Sequence, residues 1–301
     1  MRLKVALALA TVYVVWGSTY LGIAVGIRTL PPFTMLALRF LIAGALLYLW
    51  ARPRSTQRPS ARQWLAAAVS GGLLLLAGTG GVAWAEQRLD TGVVALVVAV
   101  VPLWLALLDR QRLSWPALNG LAVGFAGVAL LVGPGTHFSW VALVVVFTSL
   151  GWAAGSLYSR TAPQPAEPLL GAAMQMLAGG ALLALVGAAS GELAHVRSPS
   201  LASVGAIAYL VVIGSLLAFS AYTWLLRNAR TSLVGTYAFV NPVVAVLLGW
   251  AFNGEALTVR TLAAGAVIVG GVALIVLAPS GHSEPGKPSS PRPSQLVNLG
   301  V

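Results

Sequence analysis

The segment GVALLV at residues 127–132 returns almost unchanged as GVALIV at residues 271–276, 144 positions later. Trp16 in WGSTY likewise matches Trp152 in WAAGS, 136 positions later. Further matched pairs are Gly44 with Gly180 in GALL at the offset of 136, and Trp84 with Trp224 and Pro102 with Pro242 at 140. Similar offsets kept across several segments predict an internal duplication of the whole chain.

The composition indicates that lipid is the solvent. Hydrophobic residues make up 58% of the 301 residues and charged residues only 8%, whereas a soluble domain carries about 25% charged residues. The chain has no cysteine and its three histidines are scattered, so we expect no metal site and no cofactor. The net charge is +11, but the cations stand singly between apolar runs, which argues against a nucleic-acid partner.

Ten segments each have the roughly 20 mostly apolar residues that a helix needs to cross a bilayer. We therefore expect an all-α integral membrane protein with ten transmembrane helices. The segments are residues 4–27, 32–51, 64–87, 91–108, 115–132, 139–158, 168–189, 203–226, 231–250 and 259–277.

Five segments fall in each copy of the duplication, residues 1–135 and residues 136–278. Because five is odd, the second copy must enter the membrane inverted relative to the first, as in many secondary transporters. Lys and Arg favour the cytoplasmic side, and 13 of the 18 lie on the side that carries both termini. We expect both termini in the cytoplasm, with residues 279–301 as a disordered tail.

Several segments resemble a known family. VVWGSTYLG at residues 14–22, LRFLIAGALL at residues 38–47 and the long segment from NPVVAV to GGVALI at residues 241–275 are similar to the EamA-type branch of the drug/metabolite transporter superfamily. The resemblance covers nearly the whole chain. It implies a multi-pass transporter of a bacterial inner membrane, most similar to exporters of aromatic and other amino acids. One departure is Gln111, which stands where the second repeat has Glu255.

Aromatic and polar residues inside the predicted spans indicate the substrate site, because such groups are costly against lipid. Tyr13, Trp16 and Tyr20 share one face of the first helix. Trp16 lies in mid-span, in a cavity or in the packed core, and we favour the cavity because rings stack on apolar substrates and attract ammonium groups. We expect a cavity between helices 1, 3, 4, 6, 8 and 9. The candidate substrate-binding residues are Tyr13, Trp16, Tyr20, Gly80, Trp84, Trp104, Trp152, Ser156, Tyr222, Tyr237 and Asn241.

Pro102 and Pro242 occupy matched positions inside two predicted helices. Each removes a backbone hydrogen bond and frees a carbonyl group. The pairing predicts one hinge in each repeat, although a static kink fits the pattern equally well.

Arg39 stands alone in the apolar second helix, where a charge is costly. Its match in the second repeat is Gln175, which is also polar. We expect Arg39 to have a structural role, with its guanidinium reaching the outer headgroups or capping carbonyls of neighbouring helix ends. Gln175 and Glu255 are grouped with it as structural polar residues.

Proton coupling normally requires a buried carboxylate, and Glu86 near the outer end of helix 3 is the candidate. We expect Glu86 to be solvated or paired with Arg88. Facilitated export is then the simpler mechanism, with proton antiport through Glu86 as the alternative.

The chain is not expected to be an enzyme, because its His, Asp and Glu residues do not gather at one depth. The prediction is a monomeric transporter in the lipid bilayer that exports small amino-acid-like metabolites, foremost neutral and aromatic amino acids, by alternating access. The alternatives are a channel, a drug exporter, and a sugar-phosphate or nucleotide-sugar exchanger of the same fold. A phosphate exchanger needs several cavity cations, and Arg39 is the only one embedded in a span.

Overall fold

The computed structural model describes residues 2–108, 115–132, 140–196, 198–229 and 231–277. Over these residues the secondary structure is entirely helical, with no strand. The predicted tail at residues 279–301 and the position of Gln111 lie outside the described residues.

The helices of the described residues fall into ten segments, α1 to α10 in chain order. Single α-helices form α1 (Arg2–Gly26), α2 (Pro32–Ala51), α5 (Trp115–Val132), α6 (Trp140–Thr161), α7 (Pro168–Ala189) and α10 (Val259–Leu277). A π-helix is inserted within α3 (Ala61–Ala85) and α8 (Leu201–Asn228). Two segments are broken: α4 into Thr91–Val98 and Val101–Leu108, and α9 into Thr231–Val234 and Tyr237–Asn253.

The described helices form an all-α membrane protein. Six are long and apolar enough to cross a bilayer, namely Leu3–Gly26, Pro32–Arg54, Ala61–Ala85, Trp140–Thr161, Pro168–Ala189 and Leu201–Asn228. Shorter apolar helices are Thr91–Leu105, Val240–Asn253 and Val259–Gly271. Leu46, Phe147 and Leu185 are each more than half exposed on the outside of the bundle, as expected of side chains that contact acyl chains.

Local sequence explains where several helices begin and end. Ser60 and Gln63 exchange side-chain and backbone hydrogen bonds in a capping box at the start of α3. Pro32 and Pro168 occupy the first positions of α2 and α7, where a missing N–H costs nothing. Gly254 ends α9 with φ of 70°, a conformation that favours glycine.

The helices pack in a pattern that pairs α2 with α7 and α5 with α10. Around these pairs, α1 contacts α8 and α9, while α6 contacts α3 and α4. The backbones of α5 and α10 touch at Gly124 and Gly271, where a Cβ on Gly271 would lie 2.4 Å from the Gly124 nitrogen. Small residues thus allow two helices of one chain to approach closely.

The two predicted hinge prolines have different surroundings. The expectation that Pro102 is inside a helix is wrong, because α4 ends at Val98 and restarts at Val101, making Pro102 the second residue of a new helix. Pro242 does lie inside the helix Tyr237–Asn253. In α9 the break comes earlier, at residues 235–236. Of the two prolines, therefore, only Pro242 has helical residues on both sides and removes a hydrogen bond from within a helix.

The two π-helices lie at matched positions of the chain. Gly72–Thr79 in α3, shifted by 140 residues, falls on residues 212–219, within the π-helix Leu210–Phe219 of α8. The same offset relates Pro102 to Pro242. Because π-helices are rare and often mark functional sites, their pairing directs attention to the space between α3 and α8.

Candidate functional site

A cavity lies in the interior of the helix bundle, beside both π-helices. Its volume, taken as the space open to the centres of water-sized spheres, is about 80 Å³. Helices α1, α2, α3, α4, α6, α8 and α9 contribute to its wall. The lining residues are Trp16, Thr19, Tyr20, Ile23, Arg39, Phe40, Leu75, Gly78, Thr79, Val82, Val98, Thr148, Ser149, Trp152, Phe219, Tyr237 and Asn241.

Five of the predicted substrate-binding residues line this cavity, namely Trp16, Tyr20, Trp152, Tyr237 and Asn241. The helix set differs from the prediction by one member, since α2 also contributes to the wall. An arginine beside a phenylalanine in an otherwise apolar helix did not indicate which side of α2 faces inward.

Four aromatic rings from α1, α6, α8 and α9 form one cluster at the cavity wall. The Trp16 ring is the centre, with centroids 5.3 Å from Trp152, 4.6 Å from Tyr222 and 5.4 Å from Tyr237. Two of these contacts are edge-to-face, a favourable geometry for aromatic pairs. The cluster provides an apolar surface on which a flat or apolar substrate group can pack.

Three predicted residues pack close to the cavity without lining it. Tyr222 is almost fully buried, and its hydroxyl is 2.6 Å from the Ser156 hydroxyl. The Tyr13 hydroxyl bonds to Thr236 in the break of α9. The described cavity lining does not include Tyr13, Ser156 or Tyr222. These residues therefore support the wall from behind.

Trp104, Trp84 and Gly80 also lie away from the cavity surface. The Trp104 indole donates to the Val146 carbonyl and the Ser149 hydroxyl, both at 3.1 Å, and so joins α4 to α6. The Trp84 ring packs 5.3 Å from Trp140. Gly80 is in contact with α2 and α7, where a Cβ would lie 3.3 Å from Leu183 and from Phe33.

Arg39 lines the cavity and is only 4% exposed. Its Nε donates to the Ser215 hydroxyl of α8 at 2.9 Å, and its guanidinium carbon lies 4.6 Å from the centroid of the Phe40 ring. The expectation that the guanidinium reaches the headgroups is therefore wrong: its nearest polar partner is inside the bundle.

Gln175, the match of Arg39 in the duplication, has different surroundings. It is 2% exposed and is not among the lining residues. Its backbone oxygen lies 2.6 Å from the point that a Cβ on Gly71 of α3 would occupy. The two matched polar residues therefore differ in what they face, since only Arg39 reaches the cavity.

Glu86 has a buried carboxylate near the end of α3. Both of its oxygens are inaccessible and have no hydrogen-bond partner among the described residues. Arg88 instead donates to the Trp84 carbonyl at 3.3 Å and to Gln87 at 3.4 Å. The expectation that Glu86 is solvated or paired with Arg88 is wrong, because the chain turns Arg88 back over Trp84.

Glu255 binds the first turn of α4. Its carboxylate accepts from the Thr91 N–H at 2.9 Å, the Thr91 hydroxyl at 2.7 Å and the Gly92 N–H at 3.1 Å. Burial alone would raise the pKa of Glu255, but these hydrogen bonds and one from Asn253 lower it overall. The partly buried Asp90 has a raised pKa, because of burial first and the nearby Glu255 charge second.

Glu192 makes an equivalent cap at the first turn of α2, and the sequence did not indicate it. Its carboxylate accepts from the Phe33 N–H at 3.2 Å and from the Thr34 N–H at 2.7 Å. Glu192 and Glu255 each carry negative charge to a helix N-terminus, where it is favourable. Each cap joins residues of the second predicted repeat to a helix of the first.

The sequence also missed several lining residues, chiefly Thr19, Phe40, Thr79, Thr148 and Phe219. Thr19 was accessible to pattern analysis, because positions 16, 19, 20 and 23 follow the i, i+3, i+4, i+7 spacing of one helix face. Phe40, Thr79, Thr148 and Phe219 did not stand out from their neighbours, because α2, α3, α6 and α8 are apolar over most of their surface.

An all-helical membrane bundle with an aromatic cavity that seven helices surround is the arrangement expected of a small-molecule transporter. The chain belongs to the EamA-like transporter family, whose sequence profile matches residues 3–133 and again residues 139–277.

Among similar proteins is the "Uncharacterized inner membrane transporter YedA" of Escherichia coli (strain K12), 40% identical over 280 residues that cover 90% of each chain. A second is the "Probable terminal-alkyne amino-acid exporter" of Streptantibioticus cattleyicolor, 28% identical over 282 residues covering 90% of this chain and 93% of that protein. One crystal structure shares the fold with a TM-score of 0.63 and 23% identity, covering 91% of this chain and 96% of that one. The protein is thus a multi-pass transporter of the inner membrane.

Proposed function

We propose that this transporter exports small metabolites, foremost neutral and aromatic amino acids, by alternating access through the central cavity. The observation that carries the proposal is the cavity wall, which combines the rings of Trp16, Trp152 and Tyr237 with Arg39, the one cation among the described lining residues. Rings accept apolar side chains and attract ammonium groups. The likeness to an amino-acid exporter adds support.

We further propose that all ten helical segments cross the membrane as two inverted repeats, residues 1–135 and residues 136–278. Three observations support this proposal. The family profile matches twice, and the two π-helices lie at an offset of 140 residues. The main helix contacts also correspond when each of α1–α5 is replaced by its match in α6–α10 and the reverse. The contact of α1 with α9, for example, corresponds to that of α6 with α4. The excess of Lys and Arg supports cytoplasmic termini.

The aromatic cluster is proposed as the cytoplasmic floor of the cavity. Along α1 the lining residues run from Trp16 to Ile23, and along α3 from Leu75 to Val82, which is the half of each helix nearer the connections at residues 27–31 and 86–90. If both termini are cytoplasmic, this half of each helix lies on the side of the membrane away from the cytoplasm. Opening toward the cytoplasm would then require the four rings to separate, and Pro242 is the proposed hinge.

Net export is proposed to follow the substrate gradient, and Glu86 is the residue that a proton antiport mechanism would use. We also propose that one chain transports by itself, because α5 and α10, which contribute none of the described lining residues, pack against each other within the chain.

The test is uptake of radiolabelled phenylalanine and leucine by proteoliposomes that contain the purified protein, with protein-free liposomes as control. We expect saturable uptake that equilibrates with the outside concentration. Movement of sugar phosphates without amino acids would contradict the substrate class. A pH gradient should leave the final level unchanged, and accumulation driven by the gradient and lost in Glu86→Gln would instead establish proton antiport.

A further inference from the structure

Arg39 brings a cation to the cavity wall without an anionic partner. Its Nε is bonded to Ser215, but its Nη1 is buried and has no hydrogen-bond partner among the described residues. Nη2 lies 2.9 Å from the point that a Cβ on Gly214 would occupy. The Ser215 hydroxyl, the Phe40 ring and Gly214, which all lie against the guanidinium, are neutral.

A buried guanidinium with an unbonded N–H is unfavourable, since its charge has lost water without gaining a partner. Arginine keeps its proton in proteins, and its planar fork matches the two oxygens of a carboxylate. Among the described residues, the carboxylates of Glu192 and Glu255 are already bonded to the first turns of α2 and α4, and neither oxygen of the buried Glu86 carboxylate is bonded to Arg39. The anion that fits Arg39 is accordingly one that the ligand brings.

No acidic residue lines the cavity within the described part of the chain. A substrate ammonium therefore meets neutral groups in the described lining: aromatic rings, hydroxyls such as that of Thr19, and the side-chain amide of Asn241. A phosphate dianion, in turn, finds only one guanidinium, because Arg39 is the one cationic lining residue among those described. The cavity favours a single negative charge attached to an apolar or aromatic body.

We infer that Arg39 binds the carboxylate of the substrate, and that the site selects apolar and aromatic monocarboxylates through this group while the ammonium group is dispensable. The inference rests on the proposed export of amino acids and narrows it: amino acids bind as carboxylates with an apolar side chain, and analogues without the amine bind as well.

The experiment is inhibition of labelled phenylalanine uptake by four unlabelled compounds: phenylalanine, 3-phenylpropionate, phenylalaninamide and phenethylamine. The two carboxylates should inhibit at similar concentrations. The two compounds without a carboxylate should be about 10- to 100-fold weaker, the factor expected for losing a charge-assisted hydrogen bond. Equal or stronger inhibition by phenylalaninamide than by 3-phenylpropionate would overturn the inference, and this comparison requires no variant.

Arg39→Gln tests the residue itself. In this variant the preference for 3-phenylpropionate over phenylalaninamide should fall to less than about threefold, because the remaining amide has no charge. Gln175→Leu is the matched control at the corresponding position of α7, and it should keep the preference of the unmodified protein. A folded Arg39→Gln protein, monodisperse in detergent, that keeps the full preference would refute the assignment.

The outcomes separate this inference from the proposed function. If phenylalanine is not transported but 3-phenylpropionate raises the melting temperature of the purified protein and phenethylamine does not, amino-acid export fails and the carboxylate site is supported. If neither carboxylate is transported or shifts the melting temperature, both proposals fail. Transport of phenylalanine with no preference for carboxylates overturns the inference alone.

Discussion

Trp16 is the residue that connects the aromatic cluster to the cavity. It touches rings from three other helices and is 9% exposed, with part of its surface lining the cavity. A ring so placed holds four helices together, and under the proposed function its exposed face also contacts the substrate.

We expect Trp16→Phe to raise the KM for phenylalanine by about 5- to 20-fold, corresponding to about 1–2 kcal/mol of lost ring contact. Phenylalanine retains a ring, so the protein should fold, with its melting temperature lowered by a few degrees at most. The readout is transport kinetics together with thermal unfolding. Trp50→Phe, at a residue that is 49% exposed at the end of α2, is the control. Unchanged transport in Trp16→Phe would remove Trp16 from the site.

At the scale of elements, two carboxylates near the start of α4 differ in how they affect stability. Glu255 has a lowered pKa, so it stabilises the fold in its charged form, whereas Asp90 has a raised pKa and is less favourable when charged. The negative charge of Glu255 is therefore expected to raise the stability of the fold, and that of Asp90 to lower it.

Glu255→Gln should destabilise the protein by about 1–2 kcal/mol at neutral pH, the usual loss for a charged helix cap. The stabilisation is present above the ordinary glutamate pKa and is lost as the pH falls through the lowered folded value. The stability difference from the unmodified protein should therefore shrink in acid. Asp90→Asn should cause no loss at neutral pH. Chemical unfolding in detergent between neutral and acidic pH measures both, and a pH-independent difference for Glu255→Gln would contradict the assignment.

Pro242 lies inside a helix, whereas Pro102 begins one. We expect Pro242→Ala to lower the transport rate several-fold with little change in KM or melting temperature, because alanine supplies the missing N–H and stiffens α9. Proteoliposome kinetics give both parameters. Pro32→Ala, at the first position of α2, is the control without a lost hydrogen bond. Full transport activity in Pro242→Ala would favour a static kink.

At the scale of the whole molecule, the proposed topology can be tested directly because the sequence has no cysteine. Single cysteines at Arg58 and Gln87, both exposed, lie in the connections after α2 and after α3. We expect a membrane-impermeant maleimide to label Gln87→Cys in intact spheroplasts and Arg58→Cys only after lysis. Labelling of both from the same side would contradict the proposed orientation of α3.

The sequence by itself was enough for the class of protein and for the family, since both depend on local or repeated features. Runs of about 20 apolar residues identify membrane helices without knowledge of their neighbours. A matched pair such as Trp16 and Trp152 is visible as an offset between two positions. Ser60 with Gln63 is likewise a local signal, because a capping box is made within one turn.

Which residues line the candidate site, and which partners they have, was decided by the tertiary structure. Arg39 and Gln175 are matched in sequence, yet only Arg39 lines the cavity. Glu192 caps α2 from 158 residues farther along the chain, and Glu86 is buried without the partner that its neighbour Arg88 suggested. The physical reason is that a helix apolar on all sides has no local pattern that distinguishes lipid from cavity. Which face turns inward is decided by the packing of helices that are distant in sequence.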